Sequence, residues 1–252
     1  MAATLLLVVF VPFMLLLTVT FSSELQRVCN KTATPSLNLP DLDVRYYKGS
    51  CYVKDLRRKP YDSVVCDHLP DYQGDLVVVP SPTLMFKLYQ LFGIASGEWP
   101  WLGMRSSQPS AAMQRDHFYW RALGKQWPVP VHTILWGPNE PNAGDQCGHF
   151  WPDHGQFFGV VSCRLALPFI CEYRDRNICF GQVANDVRGV SNETAEERTA
   201  SSATHCGKLC VRAPVCRTFT FHRQTSLCAL HLLGADQLQT ESMSGAQLFS
   251  IK

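Results

Sequence analysis

The sequence predicts an α+β protein held together by disulfides, and three observations carry that prediction. Two early segments, Tyr61 to Leu69 and Thr83 to Phe92, space their apolar residues in a weakly or nearly helical way. From Trp99 onward the texture changes to short aromatic strands separated by proline and glycine turns. Eleven cysteines are spread over the chain with no CxxC pair to suggest zinc. Function in such a chain is expected on loops carried by a rigid scaffold.

Taken in order, Thr4 to Phe21 is an apolar run broken by Pro12, Thr18 and Thr20. Its position at the N-terminus and the small residues Thr20 and Ser22 predict a signal peptide over 1–22, hence a secreted, extracellular protein; the alternative is an uncleaved signal anchor, since the run is long enough to span a membrane. Residues 23–41 are polar, with two prolines and no evident periodicity, and read as an N-terminal linker. Tyr46 to Val53 is a turn leading into a β-rich run, and Leu76-Val77-Val78-Val79 is a short β-branched run stopped by Pro80. Ser81-Pro82 starts the second helix, in which Leu84, Phe86, Leu88 and Leu91 share a face. Strand cores follow at Trp101 to Met104, Phe118 to Trp120, Phe150-Trp151, Phe157 to Val161 and Leu167 to Cys171, while Trp127 to Pro130 reads as a proline-stiffened loop. Arg174 to Asn177 is a charged hinge. After it tryptophan disappears and residues 185–205 become rich in Ser, Thr, Ala and Glu. A second unit of about 75 residues therefore begins near residue 178, marginal in stability without covalent staples.

Composition excludes several functions. A net charge of +2 and the absence of a Lys/Arg stripe argue against a nucleic-acid partner. The cysteine count fits an oxidising compartment, in which the sequons at Asn30 and Asn192 become glycosylation sites. His149, Asp153 and His154 lie close together, but no nucleophile or open metal position accompanies them, so they read as loop residues and the protein as no enzyme. Trp101, Trp120 and Trp136 are expected in the core. Trp99, Trp127 and Trp151, each followed by proline, are candidates for an aromatic recognition surface.

The loop Trp136-Gly-Pro-Asn-Glu-Pro-Asn142, followed by Asp145 and Cys147, concentrates the chemistry. Calcium takes six to eight oxygen ligands, and Glu140, Asn142 and Asp145 offer carboxylate and amide oxygens around one turn. A cis Glu140–Pro141 bond would let the first two converge. The same residue types also build ordinary exposed loops.

In order and spacing, Gly49-Ser50-Cys51-Tyr52, Cys66, Trp101-Leu102-Gly103, Phe118 to Trp120, Trp136 to Asn142, Cys147, Cys163 and Phe169-Ile170-Cys171-Glu172 resemble a C-type lectin-like domain over 42–174. The resemblance implies a double-loop α+β fold with two helices, short antiparallel strands and a long loop. It also implies the bridges Cys66–Cys171 and Cys147–Cys163, with Cys29–Cys51 as the extra hairpin bridge. From the Glu-Pro-Asn triplet it implies calcium-dependent binding of mannose-type sugars through Glu140, Asn142 and Asp145. The chain departs from that pattern at Phe158-Gly159-Val160, where sugar-binding members carry Trp-Asn-Asp. Two ligands are lost there; Asp153 or Gln156 could substitute from the opposite loop, and no acidic residue lies between His117 and Asn139 to build auxiliary calcium sites. Two expectations follow: a carbohydrate-binding lectin with calcium as cofactor, or an adaptor using the fold as a scaffold for a protein partner.

The C-terminal unit, 178–252, resembles a PAN/apple domain through Cys206-Gly-Lys-Leu-Cys210, Cys216-Arg-Thr-Phe-Thr-Phe221 and Cys228-Ala-Leu230. Cys206 and Cys210 lie one helical turn apart, and Phe219 and Phe221 fall on one strand face before a turn at Arg223 to Ser226. The resemblance implies Cys206–Cys228 and Cys210–Cys216 and a protein or sugar partner. Cys179 is left over; it competes with Cys51 for Cys29, stays single, or links two chains as a dimer.

Overall fold

The computed structural model describes residues 24–32, 40–108, 115–122, 124–129, 135–142, 146–155, 157–174, 180–190, 194–213, 216–232 and 238–251. The expected signal peptide, Asp145, Gln156, Cys179 and the sequon at Asn192 lie outside the described residues.

The described residues form two sheets. The first has nine strands: β1 (Leu42–Tyr47), β2 (Ser50–Lys59), β3 (Gly74–Leu76), β4 (Trp101–Ser106), β5 (Phe118–Ala122), β6 (Lys125–Pro128), β7 (Cys147–Trp151), β8 (Phe157–Val161) and β9 (Leu167–Arg174). Its main path runs β1-β2-β9-β4-β5-β6, with β3 paired to β9, and β7 paired to β4 and β8. The second, of five strands, runs β10-β14-β12-β13-β11, where β10 is Phe180–Val190, β11 Thr194–Thr199, β12 Thr218–His222, β13 Leu227–His231 and β14 Gln239–Ile251.

Among the described residues three α-helices pack on these sheets. α1 (Glu24–Thr32) stands where an unstructured linker was expected. Leu25, Val28 and Cys29 recur at helical spacing, which places them on one face, and Leu25 and Cys29 are fully buried against β1 and β2. The Cys29–Cys51 bridge fastens this helix to β2. Asn30, the sequon within it, is exposed.

α2 (Pro82–Phe92) begins where the sequence signals it: Ser81 Oγ accepts the Leu84 N–H at 3.3 Å, Pro82 supplies the first turn, and Gly93 caps the end at φ 53°. It buries Leu84, Met85, Leu88, Tyr89 and Phe92 against Trp120, Phe150 and Phe158.

The other expected helix, Tyr61 to Leu69, is absent. Only Tyr61–Ser63 turns, as one 3₁₀ turn after Pro60, and the segment from Val64 to Leu69 is irregular. Three tertiary anchors hold it in place of helical hydrogen bonds. The Tyr61 ring meets Trp101 edge-on at 5.5 Å. Cys66 bonds Cys171, a bridge closing 105 residues of chain and contributing roughly 4–5 kcal/mol in the loop-entropy model. His68 lies between Asp55 Oδ2 and the Tyr173 hydroxyl, 2.9 Å from each. Burial alone would raise the Asp55 carboxyl, but hydrogen bonds from Arg57 and His68 hold it below the usual carboxylate range.

In the second unit α3 (Ala203–Val211) presents Cys206 to Cys228 and Cys210 to Cys216, the two pairings the resemblance implied. Phe219 and Phe221 share a buried face with Leu230 beneath this helix.

The two units meet at the end of β9. The Glu172 carboxylate accepts hydrogen bonds from Ser50 Oγ (2.8 Å) and Arg174 Nε (3.0 Å), and Arg217 Nη2 of the second unit stands 3.6 Å away. Arg217 also donates to the Val78 carbonyl, and Arg174 donates to the carbonyls of Ala213 and Cys216. Leu232, from the second unit, packs into the core around α2.

Candidate recognition loop

The loop from Trp136 to Asn142 is hung on β8. The Phe158 carbonyl accepts the Gly137 N–H at 2.8 Å, and Phe158 N–H donates to Leu135 O at 2.9 Å. Trp136 is 7 % exposed and packs edge-on to Phe118. Gly137 has to be glycine: a Cβ there would lie 2.3 Å from a carbon of the Trp151 ring. Gly137→Ala is therefore expected to cost about 1–3 kcal/mol through overpacking, measured as a fall in the guanidinium midpoint. A variant as stable as the wild type would remove Trp151 as the support of the loop.

The chain then turns through Asn139, at φ 62°, into a cis Glu140–Pro141 bond. Glu140 and Asn142 do converge, as the sequence suggested: Asn142 Nδ2 donates to Glu140 Oε1 at 2.5 Å. The other carboxylate oxygen accepts the Val160 N–H at 3.0 Å, and Glu140 is only 6 % exposed. Arg115 donates to the Glu140 carbonyl. Asn142 is exposed. The base of the loop is tied by the Cys147–Cys163 bridge.

Across the loop, Phe158 and Val160 turn their side chains into the core, and the space beside Gly159 is filled by His149, whose Nε2 would be 2.9 Å from a Cβ. This wall offers backbone and hydrocarbon. Asp153, a possible substitute ligand, is committed elsewhere: it accepts from Gly97 N–H at 2.8 Å and from Ser96 Oγ and Trp99 Nε1, fastening the loop before β4. Among the described residues no group of three or more His, Cys, Asp or Glu side chains is placed to hold a metal ion. Glu140 and Asn142 supply at most three side-chain oxygens against the six to eight calcium requires, and the Val160 N–H points at one of them. Among the described residues these two do not by themselves complete a calcium site; Asp145 and Gln156 lie outside them.

Two other expectations are corrected. His149 is no loop residue: it sits on β7 at 3 % exposure, its Nδ1 2.8 Å from the Phe150 carbonyl, stacked on Trp99 with Trp101 and Trp151 edge-on. Trp127 lies on β6 instead of in a loop and is 8 % exposed, so of the three proline-flanked tryptophans only Trp99 and Trp151 keep partial exposure. Trp101, Trp120 and Trp136 are core residues, as expected.

No curated protein matches the sequence. Among solved structures, human lithostathine is similar at 19 % identity, covering 52 % of this chain and 88 % of its own, with a TM-score of 0.41. The carbohydrate-recognition domain of the mouse scavenger receptor C-type lectin is similar at 19 % identity, with coverage of 52 % and 96 % and a TM-score of 0.40. The C-type lectin CEL-I from Cucumaria echinata is similar at 18 %, with coverage of 53 % and 95 % and a TM-score of 0.38. The family model for the PAN domain matches residues 179–250, the stretch that carries the five-stranded sheet and α3.

Proposed function

We propose that the chain is an extracellular, non-catalytic recognition protein whose lectin-like unit, 42–174, binds carbohydrate through the Glu-Pro-Asn loop without a resident calcium ion, beside a PAN unit at 178–252. The observation that carries this reading is the closure of the Glu140 carboxylate by Val160 N–H and Asn142 Nδ2. Hydrogen bonds within the protein hold the loop in shape, so the exposed Asn142 is presented without the cation that the triplet implies in sugar-binding members of the lectin family. Five disulfides fit an oxidising, extracellular setting, and the exposed Asn30 is the glycosylation site within the described residues.

A glycan panel read in calcium and in chelator tests the proposal. Binding is expected to survive chelation and to fall about tenfold in Asn142→Ala, the loss of one or two hydrogen bonds. Binding seen only with calcium would overturn the calcium-free reading, and silence across the panel would favour the second one. That second reading, a protein-binding adaptor, is favoured by the replacement of polar ligands at Phe158-Gly159-Val160, where Phe158 and Val160 are buried; in it Asn142→Ala leaves partner binding intact.

A further inference from the structure

Each sheet ends in an edge strand paired on one side among the described residues, and these two ends line one cleft. β6 closes the path of the first sheet and β11 that of the second. Between them, capped by the last turn of α3, lies a cleft of about 590 Å³ lined by Lys125, Gln126, Trp127, Pro128, Glu196, Arg198, Leu209, Arg212 and Ala213. That volume is ordinary for a small-ligand or short-peptide cleft, roughly 300–1,000 Å³.

The lining pattern tells how each strand is presented. Four consecutive residues of β6 line the cleft, and consecutive residues point to opposite faces of a sheet, so β6 shows its open backbone edge. β11 contributes Glu196 and Arg198, two apart, and so shows one face. The charge is lopsided. Arg198 is paired with Glu196 at 2.5 Å, whereas the exposed side chains of Lys125 and Arg212 make no hydrogen bond or ion pair among the described residues. Trp127, Leu209 and Ala213 supply apolar lining between them. The register with β5 turns the backbone groups of Gln126 and Pro128 outward, so the edge offers the Gln126 N–H and the carbonyls of Gln126 and Pro128, and beside two cations unpaired among the described residues it matches a short extended chain that brings its own backbone hydrogen bonds and negative side chains. A saccharide would leave the strand edge unused.

We propose that this cleft between the units binds an extended acidic peptide segment of a partner protein, which adds to the β6 edge and places carboxylates against Lys125 and Arg212. The site is separate from the Glu140–Asn142 loop, so it stands whether or not that loop binds sugar.

The full chain is titrated by fluorescence anisotropy with a labelled decapeptide of alternating Glu and Thr. Two further probes are the same peptide N-methylated at alternate residues in each of the two registers, and a Gln/Thr peptide. The acidic peptide is expected to bind, more weakly as salt rises from 50 to 200 mM, and binding should drop about tenfold in Lys125→Ala and again in Arg212→Ala. One methylated register should lose binding and the other keep it. Asn142→Ala and Lys87→Ala, on remote surfaces, should bind as the wild type does. The proposal is overturned if the Glu/Thr peptide does not bind, if the Gln/Thr peptide binds equally, or if both methylated registers bind like the parent. It is equally overturned if Lys87→Ala matches the loss in Lys125→Ala, or if a sulfated oligosaccharide binds in the peptide's place.

Discussion

Between pH 6.5 and pH 4 the folded protein is expected to lose on the order of 3 kcal/mol at each of two histidines, His149 and His231. Burial pushes both imidazoles down to about 4 from the ordinary 6.5. For His149 the Phe150 carbonyl and the Asp153 carboxylate pull the other way without reversing it. His231 is 1 % exposed, with Nε2 2.8 Å from Thr220 Oγ1 and no hydrogen-bond partner for Nδ1 among the described residues. A folded pKa below the unfolded one means that the unfolded chain takes up the proton first. The stabilising effect is therefore complete above pH 6.5, declines as pH falls, and is gone below about 4. The depressed Asp55 carboxyl adds a further loss below its ordinary value of 3.8. Guanidinium midpoints at pH 7, 5.5 and 4.5 check this. The fluorescence of Trp99, Trp101 and Trp151 around His149 reports the first unit, and far-ultraviolet dichroism reports both. A midpoint that stays flat from pH 7 to 4.5 would show that both rings are accessible to protons in the folded state.

His149 also shows where the sequence stopped being legible. Its neighbours in sequence, Gly148 and Phe150 before a Trp-Pro pair, fit either a loop or a strand, and only the pairing of β7 with β8 and β4 buries it. The elements that could be read were those whose cause is local: the Ser81-Pro82 start and Gly93 stop of α2, the spacing of Cys206 and Cys210 on α3, the strand face of Phe219 and Phe221. The disulfide framework was legible through the resemblance, down to Cys29–Cys51. α1 had a signal, the Leu25, Val28, Cys29 spacing, that a polar composition and a nearby sequon obscured. The Tyr61–Leu69 segment erred the other way, because its apolar residues answer to Trp101, Cys171 and Tyr173 rather than to one another. At the recognition loop, residue types suggested that Glu140 and Asn142 converge. They gave no sign that the Val160 N–H, a backbone group common to every residue but proline, would occupy the second carboxylate oxygen.

The same reasoning makes Glu172 the most consequential single side chain at the junction. Its carboxylate faces two guanidinium groups, Arg174 and Arg217, whose side chains are 11 % and 16 % exposed. Ser50 and Tyr52 complete its shell, and burial first, then the Glu172 charge, holds the Tyr52 phenol protonated well above its ordinary range. Glu172→Gln keeps the shape and removes the charge, leaving two largely buried cations opposed by carbonyl oxygens alone. The expected cost is about 3–5 kcal/mol, the magnitude for breaking a buried ion pair from one side. Arg217→Met in the same background should restore part of it, because it deletes one of the stranded charges. Chemical denaturation of the wild type, the two single variants and the double variant measures the coupling. Limited proteolysis at the 174–180 connection reports separately whether the units have come apart. If Glu172→Gln unfolds within about 0.5 kcal/mol of the wild type, the span of an uncoupled surface change, the ion pair does not hold the units together. The packing of Leu232 around α2 and the guanidinium–carbonyl hydrogen bonds of Arg174 and Arg217 would then do so.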